Sequence, residues 1–113
     1  MVNKDSCVFC RIVSGELPSE KIFEDKNFLA IKTIEPKVEG HFLVIPKKHY
    51  KNFLELPKKE YEGFLKAVKD SVGTFSGDFN LVINNGRNAG QVVEHLHLHV
   101  LPRKFEDGFR LNC

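Results

Sequence analysis

Three histidines on alternate residues, His95, His97 and His99, carry the strongest chemical signal in this chain, and leucines stand between them. This period of two predicts a β-strand over residues 94–101 with one aliphatic face and one imidazole face. At a rise of about 3.3 Å per residue, the rings would stand roughly 6.6 Å apart along one side of a sheet. Imidazoles act as nucleophiles, acid–base groups or metal ligands near neutral pH, so this face predicts a site of chemistry.

Two other interpretations of the three histidines remain open. A lone histidine on a strand is usually a satisfied polar group, but three in strict alternation are hard to explain by packing. A zinc site that uses all three imidazoles is the stronger competitor, because His-x-His is often half of such a site. The residues alone do not decide between zinc ligation and catalysis.

The segment before the histidines, residues 84–91, predicts a phosphate-binding loop. Its glycines, Gly86 and Gly90, permit positive φ and let a ligand approach the backbone closely. Free N–H groups in such a bend form a concavity suited to anions. Asn84 and Gln91 can donate uncharged hydrogen bonds to phosphate oxygens, and Arg87 could add positive charge. Directly before an imidazole strand, this loop would face a nucleophile.

Cysteine usage points to a metal or redox motif rather than a disulfide framework. The chain has three cysteines, of which two form Cys7-x-x-Cys10 and the third is the terminal Cys113. In an intracellular chain this spacing is typical of half of a metal site, and no βαβ unit surrounds it to support redox work.

Length and charge limit the classes of protein that this chain can belong to. Its 113 residues predict a single domain over 1–113, and a net charge of +2 argues against nucleic-acid and membrane partners. No apolar run approaches the length of a membrane span, and residues 1–6 are polar where a secretory signal would be apolar. We therefore expect a cytoplasmic protein.

The hydrophobic pattern predicts an α+β fold. A short helix over 7–14 precedes strands at 21–24, 28–32 and 41–45, which are close enough in sequence to form an antiparallel meander. A longer amphipathic helix follows Pro57, and two further strands are expected at 79–84 and 94–101. The apolar stripe assigned to the long helix comprises Tyr61, Phe64, Leu65, Val68, Val72 and Phe75.

Three segments of the chain resemble the histidine triad (HIT) family. The first is Asn84-x-Gly86-x-x-Ala89-Gly90-Gln91 with the histidines that follow it, and the others are residues 40–49 and 7–19. The similarity covers nearly the whole chain. It implies a five-stranded antiparallel sheet with one long and one short helix, paired into a homodimer.

The resemblance also implies a function, which is nucleotide hydrolysis or nucleotidyl transfer at the α-phosphate of a purine nucleotide. His97 matches the nucleophile, which forms a covalent nucleotidyl-histidine and donates its other ring proton to a main-chain carbonyl on the same strand. His99 matches the residue that contacts the phosphate, and His41 matches a histidine held near the nucleophile. The positions matched to nucleotide and phosphate binding are Asn84, Gly90, Gln91, Val92, Thr33, Val8, Phe9, Ile12, Ile31 and Ile34.

Two residues depart from the family pattern. Thr33 stands where many members have an Asp that holds the ribose hydroxyls, and it lacks the charge of a carboxylate. Glu35 could substitute for that Asp. Val92 stands where several members have a Ser or Thr that serves the leaving group, and its side chain can transfer no proton. These departures leave the leaving-group specificity open.

The resemblance implies that the two cysteines form half of a structural zinc site. Some related proteins add two histidines to Cys7 and Cys10, and the matching positions are His49 and His95. On this interpretation His95 is a structural ligand that ties the N-terminal helix to the last strand. With four protein ligands the site would be closed to water.

Three functions remain as hypotheses. The first is hydrolysis of a nucleoside phosphoramidate, adenylate or similar nucleotide conjugate, and the second is hydrolysis of a dinucleoside polyphosphate. The third is a purine-nucleotide-binding module with only residual hydrolysis, which the Thr33 and Val92 departures make worth considering.

Overall fold

The computed structural model describes residues 6–111. Its helices and strands are α1 (Val8–Val13), β1 (Lys21–Glu24), β2 (Phe28–Lys32), β3 (Phe42–Pro46), α2 (Tyr61–Val72), β4 (Asp78–Ile83) and β5 (Leu98–Arg103). The strands form one sheet in the order β1-β2-β3-β5-β4, and every neighbouring pair is antiparallel. The predicted fold, an antiparallel five-stranded sheet with one long and one short helix, is confirmed. Within residues 6–111, no helix is both long and apolar enough to cross a lipid bilayer.

The central strands β2 and β3 are buried on both faces of the sheet, and each helix covers one face, whereas the edge strands β1 and β4 are partly exposed. The residues that pack on the α2 side are Phe28, Ala30, Phe42, Val44, Leu98 and Val100 from the sheet, Leu96 from the segment before β5, and Phe64, Ala67 and Val68 from α2. The residues that pack on the α1 side are Leu29, Ile31, Leu43 and Ile45 from the sheet, with Phe9 and Ile12 from α1. Because β2 and β3 are buried on both faces, they read as continuous apolar runs.

The last strand begins later than the sequence predicts, at Leu98 rather than residue 94. The register pairs Val44 with Leu98, so its continuation would bring Pro46 opposite Leu96. Pro46 has no N–H to donate, and the regular ladder therefore ends there. The amide of Leu96 donates instead to the carbonyl of Tyr50, at 2.7 Å. Leu96 still packs on the α2 side, so the predicted alternation of faces survives outside the strand.

The long helix is shorter than predicted, and its apolar surface is only partly buried. It ends at Val72, with Gly73 as its C-cap, and therefore does not include Phe75. Tyr61 and Leu65, which were expected in the core, are 58% and 61% exposed. The buried stripe runs instead through Phe64, Ala67, Val68 and Ser71, because α2 crosses the sheet on that narrower face.

Candidate functional site

The central histidine of the triad is held in one tautomer by the backbone. His97 is 5% exposed, and its Nδ1 lies 2.8 Å from the carbonyl oxygen of His95. Because a carbonyl can only accept, Nδ1 carries the proton and Nε2 keeps a lone pair. Burial lowers the pKa of His97, which favours the neutral ring. The predicted main-chain acceptor is confirmed, and His97 has the protonation state that a nucleophile requires.

The third histidine is held by a relay of two hydrogen bonds. The backbone N–H of Lys37 donates to Nδ1 of His41 at 3.0 Å, so the proton of the neutral His41 ring sits on Nε2. That nitrogen lies 2.9 Å from Nδ1 of His99 and donates to it. The remaining nitrogen of His99, Nε2, therefore carries a proton that it can donate to a ligand. The hydrogen-bond partner of His41 is thus His99, whereas the sequence interpretation placed it near the nucleophile.

The surroundings keep this relay uncharged at neutral pH. Burial, and secondarily the neighbouring rings of His97 and His41, lowers the pKa of His99 to about 4. Burial also lowers the pKa of His41, and the charge of Lys37 acts in the same direction. Neutral rings preserve the donor–acceptor order of the relay, because protonation would turn the acceptor Nδ1 of His99 into a second donor.

An aromatic side chain of α1 contacts two of the histidines. Phe9 is 7% exposed, and its ring meets the ring of His97 edge-on at 5.2 Å between centroids. The same ring meets His95 edge-on at 5.6 Å. Since Phe9 lies between Cys7 and Cys10 in sequence, α1 places it where the cysteine cluster and the triad adjoin. The sequence predicted Phe9 only as a wall of a base pocket.

A cavity of about 280 Å³ opens beside His97 and His99. Its lining includes seven of the residues predicted to bind the nucleotide, namely Val8, Phe9, Ile12, Ile31, Thr33, Ile34 and Val92. Glu35, the suggested substitute at the ribose, also lines it, and Lys32, Leu43 and Val93 were not predicted. Ile34 and Val92 are 90% and 89% exposed and therefore form its rim rather than its floor.

The loop of residues 84–91, called the glycine loop below, borders a second and larger cavity. Gly86 and Gly90 have φ of +95° and +92°, which residues with a Cβ rarely adopt, as the sequence analysis anticipated. Six residues besides Val92 line this cavity of about 680 Å³, namely Asn52, Gly86, Arg87, Gly90, Gln91 and Glu94. Val92 lines both cavities and so stands at their boundary. Asn84 is in the lining of neither, and its amide packs against Gly90.

The side chain of Gln91 is committed to the protein itself. Its Oε1 accepts from the amide of Gly86 at 2.8 Å. Its Nε2 donates to the carbonyl of Lys51 at 2.6 Å and to that of Val93 at 3.0 Å. The sequence predicted that this amide would hold phosphate. A hydrogen bond from Nε2 to phosphate would require its bond to Lys51 or to Val93 to break.

The sulfur and nitrogen atoms of Cys7, Cys10, His49 and His95 converge to within 4.8 Å of one another. Nε2 of His95 donates to the carbonyl of Pro46 at 2.9 Å, so its Nδ1 lone pair points to the sulfur of Cys7 at 3.2 Å. Nδ1 of His49 lies 3.3 Å from the sulfur of Cys10. Tetrahedral zinc with bonds of about 2.3 Å to sulfur and 2.0 Å to nitrogen separates its ligands by about 3.5 Å. The four donors therefore fit zinc in type, number and spacing.

The structure separates the three histidines into two environments. His95 belongs to the cysteine cluster, whereas Nδ1 of His97 and Nδ1 of His99 are engaged by a carbonyl and by His41. In the described part of the chain, the only group of residues that meets the geometric requirement for a metal contains His95 and neither of the other two. The alternative in which all three imidazoles bind one zinc ion is therefore not supported.

The sequence is similar to proteins of one family. The family model of the HIT domain matches residues 14–106. A HIT-like protein of Methanocaldococcus jannaschii is 47% identical over 107 residues, which cover 90% of this chain and 82% of that protein. The adenosine 5′-monophosphoramidase HNT1 of Candida albicans is 37% identical over 115 residues, which cover 94% of this chain and 76% of that protein. The adenylylsulfatase HINT3 of Arabidopsis thaliana is 40% identical over 92% of this chain, which spans only 55% of its length.

Solved structures share the fold. A HIT family protein from Bacillus anthracis superposes with a TM-score of 0.89 at 37% identity, covering 96% of this chain and 82% of that one. A Zn-bound histidine triad family protein from Mycobacterium smegmatis superposes with a TM-score of 0.83 at 40% identity, covering 96% of this chain and 83% of that one. The second protein binds the metal that fits the cysteine–histidine cluster described above.

Proposed function

This chain belongs to the HIT family, and on that premise we propose that it hydrolyses purine nucleotide conjugates at the α-phosphate through a covalent intermediate on His97. The observation that carries the proposal is the Nδ1–H of His97 bonded to the carbonyl of His95, which leaves Nε2 unprotonated beside a cavity. The adenosine 5′-monophosphoramidase and adenylylsulfatase named among the relatives act on conjugates of this kind. We therefore favour a nucleoside phosphoramidate or adenylate as substrate.

The first step forms the covalent intermediate. Nε2 of His97 attacks the α-phosphorus in line, a P–N bond forms, and the bond from phosphorus to the leaving group breaks with its electron pair going to the leaving group, an amine taking up a proton from solvent as it departs. The Nδ1 proton stays on the ring, and the carbonyl of His95 stabilises the positive charge that develops there. A neutral buried imidazole is nucleophilic at pH 7, unlike a protonated amine.

The second step releases the nucleotide. Water attacks the α-phosphorus opposite His97, the P–N bond breaks with its electron pair returning to Nε2, and the proton that the water loses goes to solvent. In both steps the Nε2–H of His99 can donate to a phosphate oxygen as charge develops, and His41 keeps that proton in place from the other side of the ring. His41 is in this scheme a positioning residue.

The nucleoside would occupy the smaller cavity. The apolar side chains of Phe9, Ile12 and Ile31 would contact the purine, and Thr33 or Glu35 would face the ribose hydroxyls. The exposed Val92 would border the phosphate without transferring a proton to the leaving group. Asn84, Gly90 and Gln91 would shape the loop around the phosphate.

The cysteine–histidine cluster would hold a structural zinc ion. Cys7, Cys10, His49 and His95 would supply all four ligands, and such a closed site stabilises the fold without taking part in the reaction. Cysteine ligands must be reduced rather than joined in a disulfide, which a reducing compartment favours. This requirement is consistent with our expectation that the protein works in the cytoplasm.

A dinucleoside polyphosphate is the second candidate substrate. The larger cavity adjoins the nucleoside cavity at Val92 and carries the guanidinium of Arg87. It has room for a leaving group larger than an amine or sulfate, and a cation there would suit additional phosphates.

Comparing two substrates tests the proposal. We expect adenosine 5′-phosphoramidate to be hydrolysed to AMP with a kcat/KM at least about tenfold above that of diadenosine tetraphosphate, because the leaving-group side is open and offers few fixed contacts. Product formation is measured by chromatography for each substrate. A preference for the tetraphosphate would select the second candidate, and hydrolysis of neither would contradict the proposed activity.

The pH dependence of the same reaction tests the role assigned to His99. The pKa of His99 is lowered to about 4, so its ring stays neutral as the pH falls from about 8 to about 6. The rate is expected to hold over that range and to be lost as the pH approaches 4, when protonated His99 can no longer accept from His41.

We also propose that the protein is a homodimer, with an exposed apolar face as its interface. This face combines Tyr61 and Leu65 of α2 with Phe79 and Leu81 of the edge strand β4, which are 58%, 61%, 39% and 46% exposed. Sedimentation equilibrium is expected to give twice the chain mass of 12.9 kDa, and Leu65→Glu to return it to the chain mass. A wild-type protein that sediments as a monomer would rule the interface out.

A further inference from the structure

We propose that Gln91 is a positioning residue that fixes the glycine loop relative to the nucleophile, rather than a ligand of the phosphate. The proposal rests on the hydrolase function inferred above. Gln91 is 9% exposed, and its amide makes three hydrogen bonds within the protein. Oε1 accepts from Gly86, and both Nε2 hydrogens are engaged by the carbonyls of Lys51 and Val93. A buried amide with its donors satisfied in this way has none left for a ligand.

Two of the three bonds link the loop to other segments, because Val93 follows the loop and Lys51 belongs to the stretch that follows β3. A further bond between the same two regions runs from the amide of Phe53 to Oδ1 of Asn85, at 2.9 Å. That stretch is itself anchored, because the carbonyl of Tyr50 accepts from the amide of Leu96 at 2.7 Å. The loop has backbone hydrogen bonds of its own, from the amides of Ala89 and Gln91 to the carbonyl of Gly86, and Gln91 ties this folded loop to a fixed part of the backbone.

A short chain of hydrogen bonds leads from Gln91 to the nucleophile. Nε2 of Gln91 and the amide of His95 both donate to the carbonyl of Val93, at 3.0 Å and 2.9 Å. The carbonyl of His95 then accepts from Nδ1 of His97 at 2.8 Å. The same side chain thus holds the loop on one side and the backbone that orients the attacking imidazole on the other.

The reaction geometry makes such a link consequential. In-line attack requires the phosphorus to lie about 3–3.5 Å from the nucleophilic nitrogen, and a displacement of about 1 Å can cost about 100-fold in rate. The loop contains Gly86 and Gly90 at positive φ, and without a Cβ these residues can also adopt other backbone conformations. Without the amide of Gln91, the loop would lose its connection to Lys51 and would hold the phosphate less accurately.

Kinetics of Gln91→Ala distinguish positioning from direct binding. We expect kcat for adenosine 5′-phosphoramidate to fall by about 30- to 100-fold, whereas the Kd for AMP changes by less than about threefold. The control is Asn27→Ala, which removes an exposed amide from the turn between β1 and β2, outside the site, and is expected to retain wild-type kcat. A Kd for AMP weakened by about tenfold or more, with kcat retained, would identify Gln91 as a phosphate ligand and overturn the proposal. Unchanged kcat and Kd would also overturn it.

NMR of the wild-type protein tests the bonds without any variant or turnover. The side-chain amide protons of Gln91 are expected to exchange slowly with solvent, and to remain slow when AMP is bound. Exchange that becomes fast on AMP binding, or a bond transferred from Lys51 to the phosphate, would contradict positioning. If the wild-type protein hydrolyses neither substrate while these protons stay protected, the failure lies in the proposed function and not in the placement of Gln91.

Discussion

His97→Ala is expected to lower kcat for adenosine 5′-phosphoramidate by about 10⁴-fold or more and to eliminate the covalent intermediate. The variant removes the atom that forms the P–N bond, and losses of this size are typical when a nucleophile is deleted. Intact-protein mass spectrometry after brief mixing, quenched without acid to preserve the P–N bond, is expected to show one added nucleotidyl group in the wild-type protein only.

The affinity of the His97→Ala variant for AMP provides the control for this experiment. The nucleoside cavity is lined mainly by residues other than His97, so the Kd is expected to stay within about fivefold of the wild-type value. A variant that binds AMP but forms no adduct separates catalysis from binding. If His97→Ala still carries a nucleotidyl group, the nucleophile is a different residue. If the wild-type protein forms no adduct and no product, the chain is better described as a nucleotide-binding module.

Replacing Cys7 and Cys10 with serine is expected to remove the metal and to destabilise the fold by about 4 kcal/mol at a zinc concentration about a thousand times the Kd. For a chain of this size that corresponds to a fall in Tm of about 15 °C or more. The two sulfurs are half of the donor set, and they join α1 to His95 and His49 through contacts of 3.2 Å and 3.3 Å. Zinc content by elemental mass spectrometry and thermal unfolding measure the two effects.

Two comparisons identify the source of that destabilisation. Cys113→Ser, at a cysteine outside the described residues, is expected to leave zinc content and Tm unchanged. A strong chelator is expected to lower the Tm of the wild-type protein but not that of the double variant. A double variant that retains one zinc per chain would show that the cysteines are not ligands and would contradict the four-ligand site.

The elements of this fold could be predicted because their patterns are local. The apolar runs at 21–24 and 28–32 and the short helix ending before Gly15 lie where the sequence indicated. The start of β5 could not be predicted, since it depends on which strand pairs with it. The pairing of Val44 with Leu98 places Pro46 opposite Leu96, and the ladder of hydrogen bonds ends there because Pro46 has no N–H.

The same holds for the site, where the functional residues could be predicted from the sequence but their long-range contacts could not. The residues expected to bind the nucleotide were named from the resemblance to the family, and seven of them line one cavity. The partners of His41 and Gln91 are 58 and 40 residues away in sequence, and no spacing rule reports such contacts. Leu43 was missed for a similar reason, because only its pairing with His99 across β3 and β5 brings it to the cavity.

The alternation of faces from His95 to Val100 also limits how this chain can change in length. One residue added between Gln91 and Leu98 would rotate every following side chain of the run to the opposite face of the sheet. Imidazoles would then enter the apolar layer beneath α2, and leucines would replace them beside the cavity. Insertions and deletions are consequently tolerable after β5, whereas the run from His95 to Val100 can vary only by substitution.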